Sequence, residues 1–295
     1  LLLQAVEYSR LLNLSQNAIA EEKEQLAEVY YYQSSYEKAK TLYNEVRSLY
    51  LTYNGDSDKK TLAANVSYGT LCVLCQDVEG GINILEKTYD MYMTYYTDSY
   101  TELISVLNNL GYAYNVRREY GKAIEYTEKC LRLIEGKDGI RNPSLITSLV
   151  NLGTYYRRSG LIEKAEQCYE RALSISLQNL GYSHPKTAYV LFNQGSLEYF
   201  ARQNFEKSKT LCKAAFEIRK KTLGLGHADT LFVLTFLGNE ATNEGMKELA
   251  VELVQHSLRE IEHEVPAPTE LISILREYNL SFSQQLEKER GAKLS

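Results

Sequence analysis

The sequence predicts an all-α protein, a right-handed superhelical solenoid of antiparallel helix pairs, and three observations predict it. A small residue recurs at Ala27, Gly69, Gly111, Gly153, Gly195 and Gly238, at four intervals of 42 residues and a last one of 43. Each lies in an apolar stretch of helical period, and about twelve residues later a second small residue follows, at Ala39, Gly81, Ala123, Ala165, Ser208 and Ala250. Four prolines and 17 glycines among 295 residues are too few for a turn-dense all-β chain, whereas 44% hydrophobic and 24% charged residues suit a continuous buried seam with a soluble exterior.

Taken in order, residues 1–13 read as the trailing helix of a truncated preceding repeat, because Ala5-Val6-Glu7-Tyr8 matches Ala172-Leu173-Ser174-Ile175 of a later one. The chain begins at Leu1, without an initiator methionine, so it is expected to be a piece of a longer protein. Residues 14–265 hold six tandem helix-turn-helix repeats. Two helices cross closely at each pair of small residues, and large side chains such as Tyr43, Leu85 and Tyr169 fill the groove beside the crossing. Turns within the pairs are read from Ser34-Ser35, Arg118-Glu119, Ser159-Gly160 and Glu244-Gly245. Connectors between pairs are read from 54–61, 180–187 and 223–230, where a glycine closes one helix and a proline or its equivalent opens the next. His184 and His227 occupy the same connector slot 43 residues apart and read as structural caps. Pro266 and Pro268 then break the chain, and residues 266–295 form a capping helix, read over 271–290, with a polar tail.

The run Leu152-Gly153-x-x-Tyr156, followed by Ala165-x-x-x-Tyr169 and Ala172, resembles the tetratricopeptide signature with Leu149 in the place of its tryptophan. The 42-residue period and the connector Leu180-Gly181-x-x-His184-Pro185-x-Thr187 resemble more specifically the repeats of the kinesin light chain type, shared with nephrocystin-like proteins and with sensor arms of bacterial signalling ATPases. The resemblance is strongest over 103–230. It departs in the second repeat, which has Cys72 where tyrosine is usual and Gly80-Gly81 opening its second helix.

Several chemistries are disfavoured. A formal charge of −5, mixed along the chain, offers no basic field for nucleic acid or anionic lipid. No apolar stretch reaches the ~20 residues that span a bilayer. Five cysteines without a secretory pattern point to the reducing cytoplasm. Cys72-x-x-Cys75 has zinc-like spacing but no second ligand pair, so both read as core residues, as do Cys130, Cys168 and Cys212 on second helices. His256 and His263 are seven apart, not four, and read as solvated. Gly224-Leu225-Gly226 lacks a third glycine and a preceding strand. The 25 tyrosines tempt toward a base-stacking surface, yet Tyr30, Tyr43, Tyr114, Tyr156 and Tyr169 fall on packing positions. No acid, base and nucleophile converge, and neither a metal nor a cofactor is expected.

Function is sought on the first helices, which line the concave face of such an array. Positions two or three before each repeat glycine, and one and four after it, point inward by helical spacing. They select Asn108, Asn109, Tyr112, Asn115, Asn151, Thr154, Arg157, Asn193, Ser196 and Tyr199 as a peptide-binding groove. Asn109, Asn151 and Asn193 form a ladder of carboxamides able to pair with a peptide backbone, or else with one another and with neighbouring helices. In kinesin light chain-like arrays the matching asparagines contact peptide, and the resemblance implies the same here. The lining also varies along the chain: Glu21, Glu24 and Glu28 are acidic, Arg117, Arg118, Arg157 and Arg158 basic, and Phe192, Phe232 and Phe236 apolar. That order suits a ligand with a basic end, an acidic centre and an apolar anchor. The expected function is a protein-protein interaction module. The alternative is a regulatory or sensor arm of a larger signalling ATPase or protease, in contact with other domains of its parent.

Overall fold

A computed structural model of the chain describes residues 15–262 and 268–294. Among them are thirteen α-helices, one π-helical turn and no strand. The 1–13 segment and His263 lie outside the described residues. The chain divides after Ile140 into two compact units.

The first unit holds three antiparallel pairs: α1 (Gln16–Tyr32) with α2 (Tyr36–Asn54), α3 (Lys59–Leu74) with α4 (Val78–Tyr95), and α5 (Tyr100–Val116) with α6 (Tyr120–Asp138). The second holds α7 (Leu145–Arg158) with α8 (Ile162–Asn179), and α9 (Pro185–Phe200) with α10 (Phe205–Leu223). It continues with α11 (Ala228–Thr235), which runs into the π-helical turn Phe236–Glu240, then α12 (Glu244–Ile261) and a final α13 (Thr269–Leu294).

The small residues lie where helices touch. A Cβ on Gly69 would meet Leu85 Cγ at 3.0 Å and the Gly81 carbonyl at 3.3 Å, and one on Gly81 would stand 2.6 Å from the Gly69 carbonyl. At Gly153 the added carbon would fall 2.6 Å from Tyr169 Cε1, and at Gly195 2.8 Å from Cys212 Sγ. Leu85 and Tyr169 thus fill the crossings as their register predicts. Ala39, Ala123, Ala165, Ser208 and Ala250 are wholly buried, so backbones approach as closely as ridge-into-groove packing allows.

Within pairs the turn repeats with the sequence. Ser34, Gln76, Arg118, Gly160 and Gln203 take positive φ of 57°, 70°, 65°, 83° and 54°. After each of the first four the next residue's N–H reaches back to a carbonyl five residues earlier, as Glu119 does to Tyr114 at 2.9 Å and Leu161 to Tyr156 at 2.9 Å. This is the left-handed helix stop that satisfies orphan carbonyls. In the fifth turn Asn204 reaches Glu198, one residue further, which is where the array gains its forty-third residue.

The last pair departs from expectation. Glu244-Gly245 is not its turn; these residues open α12, capped by Asn243 Oδ1, which accepts from the Met246 N–H at 3.3 Å. The preceding helix widens into the π turn, with the Ala241 N–H on the Phe236 carbonyl at 2.9 Å. This shifts the stop to 241–243. Phe282 of α13, fully buried, packs on Gly238. Ile272, Leu275 and Leu286 share its buried face, and Lys247–Glu289 and Arg290 with Glu244 and Glu248 tie the far end to α12.

Connectors are pinned by threonine. Thr61, Thr187 and Thr230 donate their hydroxyls to the carbonyls of Gly55, Gly181 and Gly224 at 2.7, 2.7 and 2.9 Å. Those glycines have φ of 90°, 83° and 92°, a conformation that side chains resist. Nδ1 of His184 accepts from the Lys186 N–H at 3.0 Å and Nδ1 of His227 from Asp229 at 3.2 Å, the N-cap role that Asp58 fills before α3.

Candidate functional site

The largest concentration of first-helix side chains around one cavity is in the second unit. The helix spacing of α7 brings Thr154, Arg157 and Arg158 to its wall, and that of α9 brings Tyr189, Phe192, Asn193, Ser196 and Phe200. Asp229, Phe232, Phe236 and Glu240 follow along α11 and the π turn, and Arg219 enters from α10. The cavity measures about 400 Å³.

Its floor is aromatic. The Phe192 ring lies 5.4 Å from Phe232 and 5.2 Å from Phe236, both edge to face, and Phe200 lies 5.9 Å from Phe236. Phe192 and Phe236 are buried while Phe200 and Phe232 remain about half exposed, at 50% and 47%. The deeper rings set the shape and the outer two present area.

Two guanidinium groups stand over these rings. Arg157 lies 5.1 Å from the Phe200 centroid and Arg219 5.5 Å from that of Phe192. Arg219 is only 4% exposed, donates from Nη1 to the Asp229 carbonyl at 2.7 Å, and has its pKa lowered by burial, against the opposing charge of Asp229. Arg157 carries a buried Nε with no acceptor and lies by the Tyr169 hydroxyl. Neither arginine forms an ion pair among the described residues. Asp229 and Glu240 also line the cavity, and the charge of Asp229 offsets part of the cost of burying Arg219.

The asparagines of the ladder differ. Asn151 Oδ1 accepts from the Tyr189 hydroxyl at 3.2 Å. Asn193 donates to the Tyr189 carbonyl at 2.8 Å and accepts from Thr154 at 3.4 Å, while Thr154 also meets Tyr169 Oη at 3.1 Å. Asn151, Thr154 and Asn193 are therefore engaged with neighbouring helices. Asn109 has no side-chain hydrogen bond among the described residues and lines a separate cavity of about 240 Å³ in the first unit, with Glu28, Tyr31, Tyr32 and Tyr43. Beside it Asn108 is half-buried and Tyr112 exposed, whereas Asn115 is buried.

Some expected groove residues serve the fold instead. Tyr199 is 7% exposed; its hydroxyl accepts the Thr242 N–H at 2.6 Å and the Asn243 N–H at 3.3 Å, so it secures the displaced turn of the last pair. Ser196 is buried and offers only a wall. Arg117 is not an open cation: it pairs with Glu79 at 2.6 Å and Glu119 at 2.7 Å, and Arg118 makes the turn. Cys72, Cys130 and Cys212 are buried and Cys75 and Cys168 half-buried, all five free. Burial pushes the Cys212 thiol up to about 12, which disfavours its thiolate form. His256 is exposed, 3.2 Å from Glu260.

Tyr189, Phe200 and Arg219 were not expected at the site. Arg219 had a readable signal. It stands eleven residues after the second small residue of its pair, where the other pairs have Tyr50, Tyr92, Ile134, Ser176 and Ile261, all buried. An arginine in that register is an anomaly. Among the described residues no three His, Cys, Asp or Glu side chains cluster to hold a metal, and no helix is long and apolar enough to cross a membrane.

Tetratricopeptide repeat family models match residues 102–178, 144–203 and 190–229. No curated protein sequence matches the chain. Among solved structures, TPR-like repeats of a protein described as a kinesin light chain from Podosopora anserina superpose with a TM-score of 0.58 at 18% identity, over 71% of this chain and 99% of that one. BtubC (BKLC) from P. vanneervenii gives 0.61 at 20% identity, over 76% and 90%. The Rap conjugation gene regulator of plasmid pLS20, in complex with the Phr* peptide, gives 0.59 at 14% identity, over 94% and 76%. Helix pairs that cross at small residues at intervals of 42 or 43 positions, closed by Gly–Thr connectors, match tetratricopeptide repeat models over residues 102–229 and share their fold with kinesin light chain-like repeat arrays.

Proposed function

We propose that the chain is a protein-interaction module that takes a peptide segment along its first helices, and that the 400 Å³ cavity of the second unit is a principal recognition point. One observation carries the reading: Arg157 and Arg219 lie over aromatic rings at the cavity and form no direct ion pair among the described residues. A ligand side chain can bury apolar surface on Phe200 and Phe232 while an adjacent carboxylate meets the guanidinium groups. Asn151 retains amide N–H groups for a peptide carbonyl, since only its oxygen is engaged. The pLS20 regulator, similar in fold, binds a peptide, which supports the same class of ligand here. We place the module in the cytoplasm, where five free cysteines are stable.

Selection of a displayed random-peptide library on the purified chain tests this. Enriched peptides should combine an acidic residue with a bulky apolar neighbour. Their affinity should fall by at least about tenfold in Arg157→Glu and in Phe232→Ala. Peptides without acidic residues, or binding indifferent to both variants, would refute the assignment.

A further inference from the structure

The small cavity of the first unit has the opposite chemistry. Its rim is built by α1, whose helical spacing places Glu28, Tyr31 and Tyr32 together, and it is closed by Tyr43 of α2 and Asn109 of α5. The Tyr31 and Tyr32 rings meet at 5.8 Å and 83°, an aromatic corner, and Tyr36 adds a third ring 5.7 Å from Tyr31. Ring faces carry partial negative charge. Two acceptors point to a donor that is not part of the fold: Glu28 has no ion pair and Asn109 no side-chain hydrogen bond among the described residues. The neighbouring acids are used differently. Glu21 pairs with Lys60 at 2.6 Å, and Glu24 accepts from Tyr50 Oη at 3.3 Å. Glu24 has its pKa raised, first by burial and then by the charges of Glu28 and Glu21, a sign of the negative potential along this face.

We propose that this cavity is a subsite for an arginine side chain of a partner peptide, its guanidinium stacked in the Tyr31–Tyr32 corner and donating to Glu28 and Asn109. The volume of about 240 Å³ suits one long side chain. A guanidinium is favoured over an ammonium because its planar fork stacks on a ring and still reaches two acceptors at once. The inference shares with the proposed function the premise that first helices face the ligand, but it concerns a different cavity and the opposite charge.

The test uses single amino-acid derivatives, so its failure leaves the library experiment standing. Chain labelled with ¹³C in tyrosine rings is titrated with N-acetyl-arginine methylamide, and with the citrulline and lysine counterparts, following ring signals assigned with Tyr31→Phe and Tyr32→Phe. Saturable shifts of Tyr31 and Tyr32 are expected with the arginine derivative, with roughly fivefold or weaker affinity for citrulline and for the Glu28→Gln variant. Glu28 is exposed, and equal far-UV circular dichroism verifies that the variant is folded. No shift, equal shifts with citrulline, tighter binding of lysine, or binding unchanged in Glu28→Gln would each overturn the assignment.

Discussion

Alanine at Gly153 tests whether the period is dictated by backbone approach. In the helix interior glycine costs about 1 kcal/mol relative to alanine, so on propensity alone Gly153→Ala should stabilise. The crossing reverses the sign. The new Cβ would stand 2.6 Å from Tyr169 Cε1 and 2.9 Å from Cδ1, about 0.8 Å inside the 3.4 Å at which ordinary contact begins. Tyr169 cannot swing aside, being fully buried with its hydroxyl 3.1 Å from Thr154. Overpacking of this kind costs about 1–3 kcal/mol, so the two terms leave a net loss of up to about 2 kcal/mol. Gly136 is the control: it lies within α6 with nothing within 4 Å of an added Cβ, and Gly136→Ala should gain about 0.5–1 kcal/mol. Urea unfolding followed by circular dichroism at 222 nm measures both, with the slope verified so that a change in cooperativity is not taken for a change in stability. Equal effects at the two glycines would refute the reading of the small residues as crossing points.

Other perturbations follow from the same coordinates. Phe282→Ala, which empties the contact on Gly238, should cost about 3–5 kcal/mol and expose the last pair to limited proteolysis; unchanged protease resistance would deny α13 its capping role. Burial holds the Tyr92 hydroxyl neutral and raises its pKa from 10 to about 12, so its contribution to stability is intact below pH 10 and is lost as the pH rises from 10 through 12. Because that hydroxyl has no hydrogen-bond partner among the described residues, Tyr92→Phe should raise the urea midpoint at pH 8 and flatten the alkaline fall; a steeper fall would contradict this. Arg219→Leu should stabilise by about 1–2 kcal/mol while weakening the library-selected peptides, and loss of stability with affinity intact would assign the arginine to the fold.

The fold was legible because its constraints are local and repeated. A glycine against Leu85 or Tyr169, and a threonine on a glycine carbonyl, leave marks at fixed spacing. The linings of the candidate cavities were legible in register and less so in content. Pocket-lining residues fall one after the small residue at Glu28, Thr70, Thr154 and Ser196, and two or three before it at Val66, Ser67, Asn109, Phe192 and Asn193, as read from the sequence. The register left out the turn before these, six positions ahead, which brings Ser105 and Tyr189, and the fifth position after, which brings Tyr32 and Phe200; Phe232 and Arg158 share those two positions and are read as lining from their chemistry instead. The wider stripe follows from the helical period, which returns to the same face one turn earlier. What no single-helix pattern reveals is whether a side chain is already engaged. Arg117 and Arg157 occupy similar sequence settings, yet only Arg117 has Glu79 and Glu119 within reach.

That distinction bears on where recognition resides. Asn151 and Asn193 keep the repeat position but are tied through Tyr189 and Thr154, so they hold α7 to α9. The repeat is broken at Arg219, a cation in a core register, at Phe200, where the equivalents are Tyr32 and Arg158, and at Glu28, which forms no ion pair among the described residues. A repeat array is stable because each pair reuses the same contacts. If the proposed function holds, specificity comes from positions that do not repeat, and Arg157, Arg219 and Glu28 distinguish ligands better than the regular asparagines.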